Sequence, residues 1–194
     1  MSLGLVEVPL DWRPELPPRP SQPRNLVLIG FSYTGKSTIA RLLARRLRWR
    51  TVDTDRLIRQ RTGQTPQEIF VTQGETAFRE IERQLVQKAC RGQRQVIATG
   101  GGAPMDPDSR AAIFDGNVVV LLDATPEAIF ARMAHSTNGE ARPMLDCPDP
   151  LERIRSLKQL RDPIYRQAHL VVETERLQPT ESAEVIYRLA GIRG

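Results

Sequence analysis

The segment Gly30-Phe31-Ser32-Tyr33-Thr34-Gly35-Lys36-Ser37 matches the pattern G-x-x-x-x-G-K-[ST] at every fixed position. An apolar run precedes it and an amphipathic stretch follows it, which predicts a strand, a tight loop and a helix. The two glycines let the backbone wrap around phosphate, whose oxygens meet amide groups and a helix N-terminus. We therefore predict that ATP is bound by Gly30, Tyr33, Thr34, Gly35, Lys36, Ser37 and Thr38. Lys36 would bridge the β- and γ-phosphates, and the Ser37 hydroxyl would ligate Mg²⁺.

Outward from this loop, short apolar runs alternate with amphipathic stretches. Strands are predicted at 26–29, 49–52, 95–98, 117–122 and 170–172, and helices at 36–48, 65–73, 76–91, 109–114, from 125 onward, 151–166 and 180–189. The run 117–122 is continuously apolar, as in strands covered on both faces. The alternation predicts an α/β fold with a parallel sheet and helices on both sides.

Two segments stand apart from this alternation. Residues 1–24 contain six prolines, which exclude a regular helix or central strand, so we predict an extended N-terminal arm there and one domain over 25–194. Residues 134–149 are polar and include Asn138-Gly139 and prolines, which predicts a long loop.

Composition limits the classes of protein to consider. The chain has 194 residues, 40% hydrophobic and 26% charged, as in one ordinary globular domain. No apolar run is long enough for a membrane span and no secretory signal is present, so a cytoplasmic location and no membrane partner are expected. The two cysteines, Cys90 and Cys147, do not suggest a disulfide framework. The net charge of +5 is compatible with nucleic acid, but aromatic residues make up only 5% and no binding motif is present, so no nucleic-acid partner is expected.

The phosphate-binding loop occurs in several classes of protein. The Asn-Lys-x-Asp segment of GTPases and the Leu-Ser-Gly-Gly-Gln signature of ABC-type ATPases are both missing from the sequence. The chain is also short for a regulatory or motor module. Small kinases remain, in which an acceptor site faces the phosphate-binding loop and an arginine-bearing lid closes over it.

Further polar motifs make the prediction more specific. Asp53 and Asp55 follow the second predicted strand, at the sheet edge where α/β folds bind ligands. After them come Phe78-Arg79-Glu80-Ile81-Glu82, Gly100-Gly101-Gly102, Arg142-Pro143 and Arg161-Asp162-Pro163-Ile164-Tyr165. In this order and at these spacings the set resembles the shikimate kinase family, from Asn25 to the C-terminus.

The resemblance implies a P-loop NTPase-type fold with a five-stranded parallel sheet flanked by helices, and a mobile lid at about 134–149. It implies ATP-dependent phosphorylation of the 3-hydroxyl of shikimate, with Mg²⁺, in aromatic amino acid biosynthesis. The partners would be the small molecules ATP and shikimate, and a monomer is expected.

The same resemblance assigns roles residue by residue. Lys36, Asp55 and Arg142 would be catalytic, with Arg142 as the lid arginine that contacts the transferring phosphate. Arg132 would pack near adenine, and Asp53 would hold a water on Mg²⁺. The acceptor would be bound by Asp55, Arg79, Arg161, the backbone of Gly100, Gly101 and Gly102, and the apolar side chains of Phe70 and Phe78. Guanidinium groups suit this role because their planar forks bind a carboxylate bidentately.

Each motif also has a structural alternative. Asp53 and Asp55 could cap the following helix, and Arg79 could form a surface ion pair with Glu82, three residues along. The three glycines could be only a flexible turn, and Arg161 a charge at a helix end. The sequence departs from the family at Tyr33 and Ser32, where small residues are usual, and the predicted lid is longer than in compact members.

Three other functions compete with this one. A gluconate kinase would share the phosphate-binding loop, but it does not need two carboxylate-binding arginines together with a triple glycine. A nucleoside monophosphate kinase would need a second nucleotide-reading segment, which we do not find. A non-catalytic ATP-binding module would have no reason to keep Lys36, Ser37, Asp53, Asp55 and Arg142 together.

Overall fold

A five-stranded parallel sheet forms the centre of the computed structural model, which describes residues 17–135, 145 and 147–192. The strands are β1 (Asn25–Ile29), β2 (Arg50–Asp53), β3 (Gln95–Ala98), β4 (Val118–Asp123) and β5 (Leu170–Glu173), in the order β2-β3-β1-β4-β5. All four neighbouring pairs are parallel. The predicted α/β fold is therefore confirmed, including the number of strands.

Helices connect the strands and cover both faces of the sheet. They are α1 (Lys36–Leu47), α2 (Thr54–Thr62), α3 (Pro66–Cys90), α4 (Pro107–Phe114), α5 (Pro126–Ala134), α6 (Pro150–Tyr165) and α7 (Pro179–Ala190), with a short 3₁₀ helix at Ala103–Met105. On one face, α1 and α7 pack on the even-numbered side chains of β1, such as Leu26 and Leu28. On the other face, α3 and α4 pack on Val27 and Ile29.

Helix α3 is bent in the middle. Gly74 has φ 84° and ψ 170°, a conformation that is not helical, and it divides α3 into two helical parts. The sequence predicts two helices over 65–73 and 76–91, so the break lies where it was expected. Phe70 lies before the bend, whereas Phe78, Arg79 and Glu82 lie after it.

Helix α2 was missed by the sequence prediction. It has nine residues, of which only Thr54 and Ile58 are buried, so its apolar periodicity is weak. Asp53 caps it, since its side chain accepts a hydrogen bond from the Arg56 amide. The capping alternative is therefore correct for Asp53, and Asp55 lies in the first turn of the same helix.

The described end of the N-terminal arm packs on the domain. The Pro17 carbonyl lies 3.0 Å from His169 Nε2, and Arg19 donates to the Leu189 carbonyl at 2.8 Å. Val119 N donates to His169 Nδ1, so the neutral ring carries its proton on Nε2 and donates to Pro17. Within the described residues, no helix combines the length and apolar character needed to span a membrane.

The topology places the ends of three strands at one edge. β1 lies at the centre of the sheet, between β3 and β4, and the chain leaves it into the phosphate-binding loop. Strand order reverses at this point, where ligands bind in open α/β sheets. The carboxyl ends of β2 and β3 lead to Asp53 and Gly100, so the predicted site residues lie at this edge.

Candidate active site

The phosphate-binding loop connects β1 to α1 over residues 30–35. Gly30 has φ 132°, and a Cβ at this position would collide with the Leu122 carbonyl of β4. Gly35 caps α1 in the left-handed region with φ 90°. Both positions therefore require glycine, and the loop reaches α1 with the free amides of its first turn directed toward the site.

Lys36 folds back over this loop. Its Nζ donates to the carbonyl oxygens of Gly30 at 3.0 Å and Phe31 at 2.5 Å, and the residue is only 8% exposed. The ammonium group is therefore held above the loop that would surround the phosphates of a nucleotide.

Ser37 and Asp53 come together at the entrance to α1. The Ser37 hydroxyl donates to Asp53 Oδ2 at 2.5 Å, while Oδ1 caps α2. Oxygen ligands suit Mg²⁺, which proteins commonly bind through one or two side chains together with substrate phosphates and water. These two residues therefore fit a Mg²⁺ ion that is shared with a nucleotide.

A cleft beside the phosphate-binding loop contains the predicted acceptor residues. It encloses about 590 Å³ of atom-free space, counted to its open mouth. It is lined by the predicted residues Asp55, Phe70, Phe78, Arg79, Gly100, Gly101, Gly102 and Arg161, and also by Phe31, Ser32, Pro66, Glu82, Leu145 and Leu157. The predicted acceptor residues, which come from four separate parts of the sequence, thus meet in one pocket.

Arg79 is fixed in this cleft by two carboxylates. Nη1 donates to Glu82 Oε2 at 2.7 Å, and Nη2 lies 3.2 Å from Glu75 Oε1. Its guanidinium carbon lies 5.1 Å from the centre of the Phe78 ring. Burial by itself would lower the pKa of Arg79, but the two carboxylates outweigh it and the net shift is upward. Arg79 is therefore a permanent cation with a defined orientation.

Glu82 is the buried anion of the site. Its side chain is 3% exposed. Burial raises its pKa, the Arg79 guanidinium opposes this rise, and the charge of Asp55 adds to it. The ion pair that was considered as a surface contact is therefore half-buried on the Arg79 side and fully buried on the Glu82 side.

Arg161 lies on α6, at the other side of the cleft. It is 6% exposed, and its guanidinium carbon lies 5.2 Å from the centre of the Phe31 ring in the phosphate-binding loop. One turn later, the Tyr165 hydroxyl donates to the Gly101 carbonyl at 2.6 Å. Burial raises the pKa of Tyr165 to about 12, so this hydroxyl stays protonated and keeps donating. Arg161 is thus held by buried neighbours and is not a loose charge at the end of a helix.

The triple glycine allows the charged groups to approach. A Cβ on Gly100 would lie 2.5 Å from Glu82 Oε1 and 3.1 Å from Asp55 Oδ1. The Gly100 amide donates to the Thr54 hydroxyl at 2.9 Å, which ties the loop to the start of α2. The turn after β3 is therefore a packed wall of the cleft. The sequence did not indicate the roles of Thr54 and Tyr165, although Tyr165 lies four residues after Arg161, on the same face of α6.

Arg132, which was predicted to pack near adenine, lies beside the phosphate-binding loop. Arg132, on α5, donates to the Thr174 carbonyl at 2.6 Å, to its hydroxyl at 3.0 Å and to the Tyr33 carbonyl at 3.4 Å. It therefore joins the phosphate-binding loop to the segment after β5 and does not line the acceptor cleft. Arg142 lies outside the described residues. Tyr33 has φ 63°, a left-handed conformation that is uncommon for a residue other than glycine.

The comparisons with known proteins agree on one family. The family model described as shikimate kinase matches residues 33–190. The shikimate kinase of Thermodesulfovibrio yellowstonii is 39% identical over 85% of this chain and 94% of its own length. That of Thermus thermophilus is 42% identical over 91% of this chain and 96% of its own.

Solved structures agree with the sequence relatives. A structure described as shikimate kinase from Acinetobacter baumannii in complex with shikimate superposes with a TM-score of 0.81 at 32% identity, covering 87% of this chain and 93% of that chain. A gluconokinase from Sinorhizobium meliloti has a TM-score of 0.57 at 18% identity, covering 87% and 94% of the two chains, and shares the fold alone. The family model and the relatives each cover most of the sequence, and the chain belongs to the shikimate kinase family.

Proposed function

We propose that this protein transfers the γ-phosphoryl group of ATP to the 3-hydroxyl of shikimate, forming shikimate 3-phosphate for aromatic amino acid biosynthesis. One observation supports this most directly: two oriented arginines and a carboxylate line a cleft that shares Phe31 and Ser32 with the phosphate-binding loop. A small acceptor with one carboxylate and several hydroxyls suits such a cleft. The Acinetobacter baumannii relative is described as a complex with that compound.

The two arginines would bind the acceptor carboxylate. Arg79 is held by Glu82 and Glu75, and Arg161 packs over Phe31, so neither guanidinium needs much reorganisation when the acceptor binds. Phe70 and Phe78 would contact the ring; their own rings lie 6.1 Å apart. This arrangement would fix the orientation of the acceptor before transfer.

Asp55 would then bind the acceptor hydroxyls. It lies in the first turn of α2, and its Oδ1 would lie 3.1 Å from a Cβ built on Gly100. The main role of Asp55 would be to orient the hydroxyl, and its secondary role would be to accept the hydroxyl proton. A loose phosphoryl-transfer transition state needs little help from a base. Alignment of the reacting oxygens would supply most of the rate enhancement.

The transferring phosphate would be neutralised from the loop side. Lys36 would leave the Gly30 and Phe31 carbonyls and bind the β- and γ-phosphates. Ser37 and, through water, Asp53 would hold Mg²⁺, which neutralises phosphate charge when bound. Arg142 is proposed as the second cation, and Arg132 would pack near adenine. The cytoplasmic location and the monomeric state stay predictions.

Two alternative functions need to be distinguished from this one. The gluconokinase shares the fold, so the fold alone does not choose the acceptor. The oriented Arg79 and Arg161 favour a rigid carboxylate-bearing ring. A non-catalytic ATP-binding module would not need an acceptor cleft with a buried charge network.

The test is release of ADP from Mg-ATP by the purified protein with shikimate, with gluconate and with no acceptor. We expect release that depends on shikimate. Release with gluconate alone would keep the kinase and overturn the acceptor. ATP binding without stimulation by either compound would contradict the proposed reaction.

A further inference from the structure

Positive charge is concentrated in one segment next to the site. Between residues 41 and 61 the chain has eight arginines and two aspartates, a net charge of +6 in a protein whose total is +5. All eight arginines are exposed. Within the described ranges, none of them forms an ion pair. This differs from Arg79 in the acceptor cleft, which has two carboxylate partners.

Three of these arginines line one open trough. Arg41 comes from α1, and Arg56 and Arg59 come from α2, with the exposed outer strand β2 between the two helices. The trough encloses about 1970 Å³ of atom-free space including open solvent, over three times the space counted for the acceptor cleft. It is therefore a wide depression that is open to solvent.

The trough leads to both halves of the site. Ser37 and Thr38 of the nucleotide side lie in its wall, and Arg41 donates to the Thr38 hydroxyl at 3.4 Å. Asp55 and Pro66 line both the trough and the acceptor cleft. A molecule in the trough is therefore adjacent to the phosphate-binding loop and to the acceptor.

We propose that this trough is a capture surface for the anionic substrates, above all ATP: Arg41, Arg56 and Arg59 attract the substrate and guide it to the loop. This inference depends on the proposed function in one respect only, because that function identifies the acceptor. Clefts lined by charge of one sign concentrate counter-charged ligands and raise association rate constants. Arginines at the rim act mainly on association and little on dissociation, since they stay solvated.

The trough also contains Asp53 and Asp55, so its charge is not uniform. Asp53 is occupied by the Ser37 hydroxyl and the cap of α2. The three arginines outnumber the two carboxylates and stand further out on the exposed parts of the helices. An approaching anion would therefore meet positive charge first.

Stopped-flow binding of an ATP analogue with a fluorescent N-methylanthraniloyl group, without acceptor, tests the proposal. The probe variant is Arg41→Gln/Arg56→Gln/Arg59→Gln. A matched control, Arg48→Gln/Arg91→Gln/Arg94→Gln, removes three exposed arginines just before β2 and β3, at the opposite edge of the sheet. Both variants lose the same net charge.

At low salt we expect the probe variant to associate roughly 5–10-fold more slowly than wild type, and the control to change less than about 2-fold. The dissociation rate constant and kcat should stay within about 2-fold of wild type in both. In about 0.5 M salt the difference should vanish, because charges more than a few ångströms apart are screened.

An equal effect of both variants would overturn the proposal, since net charge would then explain the result without the trough. A faster dissociation with unchanged association would also overturn it. Shikimate-dependent ADP release, measured on the same samples, reports on the proposed function separately, because the binding measurement contains no acceptor.

Discussion

The Arg79 guanidinium occupies the space in which a side chain at position 102 would begin: a Cβ built on Gly102 would lie 2.5 Å from Arg79 Nη1. The colliding group is the far end of a flexible side chain, so the protein can accommodate a methyl group there by moving Arg79. The acceptor site, in contrast, needs Arg79 where it is. Stability and acceptor binding should therefore respond differently to the same substitution.

Gly102→Ala should raise the KM for shikimate about 10-fold and change the free energy of unfolding by less than about 1 kcal/mol. Gly101→Ala is the matched control, because its Cβ would lie 3.4 Å from Gly30 O and Ser32 N. This second variant should raise the KM for shikimate less than Gly102→Ala does, because its contacts are close to ordinary van der Waals distances. Steady-state kinetics with each substrate varied, together with urea unfolding, make the comparison. An unchanged KM for shikimate in Gly102→Ala would contradict the placement of Arg79.

Lys36→Ala should reduce kcat by about 10³-fold or more, because it removes a buried cation that the loop holds above the phosphates. Lys88→Ala, in the last turn of α3, serves as the control and should leave kcat unchanged. Coupled ADP-release assays give the rates, and circular dichroism checks the fold. Activity close to wild type in Lys36→Ala would remove this residue from the site.

Arg161→Ala should act mainly on acceptor binding, with a rise of about 10- to 100-fold in the KM for shikimate and a smaller change in the KM for ATP. Arg155→Ala, on the same helix, removes an exposed arginine paired with Glu127 and should change neither constant. Initial rates at varied concentrations of each substrate separate the two effects. A selective rise in the KM for ATP would contradict the assignment of Arg161 to the acceptor site.

Glu82→Gln should alter how stability depends on pH. Burial raises the pKa of Glu82 in the folded protein, so the folded state binds the proton more tightly than the unfolded chain does. Wild-type stability therefore loses a contribution as pH rises from the ordinary glutamate value through the raised one. Relative to wild type, Glu82→Gln should become more stable as pH increases through this window.

Unfolding in urea between about pH 4.5 and 7.5 measures that difference. Glu75→Gln, the exposed carboxylate on the same arginine, is the control. A difference between Glu82→Gln and wild type that is constant with pH, or that changes in the opposite direction, would contradict a raised pKa.

Gly74→Ala should reduce the free energy of unfolding by about 1–3 kcal/mol through backbone strain alone. The Cβ would meet no atom within 4 Å, but φ 84° with ψ 170° is a conformation that alanine avoids. Gly63→Ala is the control at another open position, with φ 73° and ψ −5° in the ordinary left-handed region. It should reduce the free energy of unfolding by less than Gly74→Ala does. Urea unfolding compares them. Equal stability of Gly74→Ala and wild type would mean that the bend in α3 is not imposed by this residue.

Local sequence was sufficient for the class of fold. The glycine-lysine-serine loop, placed between an apolar run and an amphipathic helix, predicts a strand-loop-helix unit without knowledge of any distant contact. The runs at 26–29, 95–98 and 117–122 became β1, β3 and β4, because each is apolar enough to be buried on both faces. These are local properties, so they can be read along the chain.

Helix α2 shows where local reading failed. Its periodicity is weak, and it forms because Asp53 caps it and because α3 covers Ile58. Neither interaction is visible as a pattern of apolar residues. The spacing of Asp53 and Asp55 did indicate ligand binding, but not the helix on which the second of them lies.

Which charges meet depends on the tertiary structure. The order β2-β3-β1-β4-β5 brings Asp55, Arg79, Glu82, Gly100 and Arg161 into one cleft, although more than one hundred positions separate the first from the last. Burial then raises the pKa of Glu82, and its carboxylate and the Arg79 guanidinium occupy the space in which side chains at Gly100 and Gly102 would begin. A sequence lists ionisable groups, but their pKa values and orientations depend on neighbours that only folding supplies.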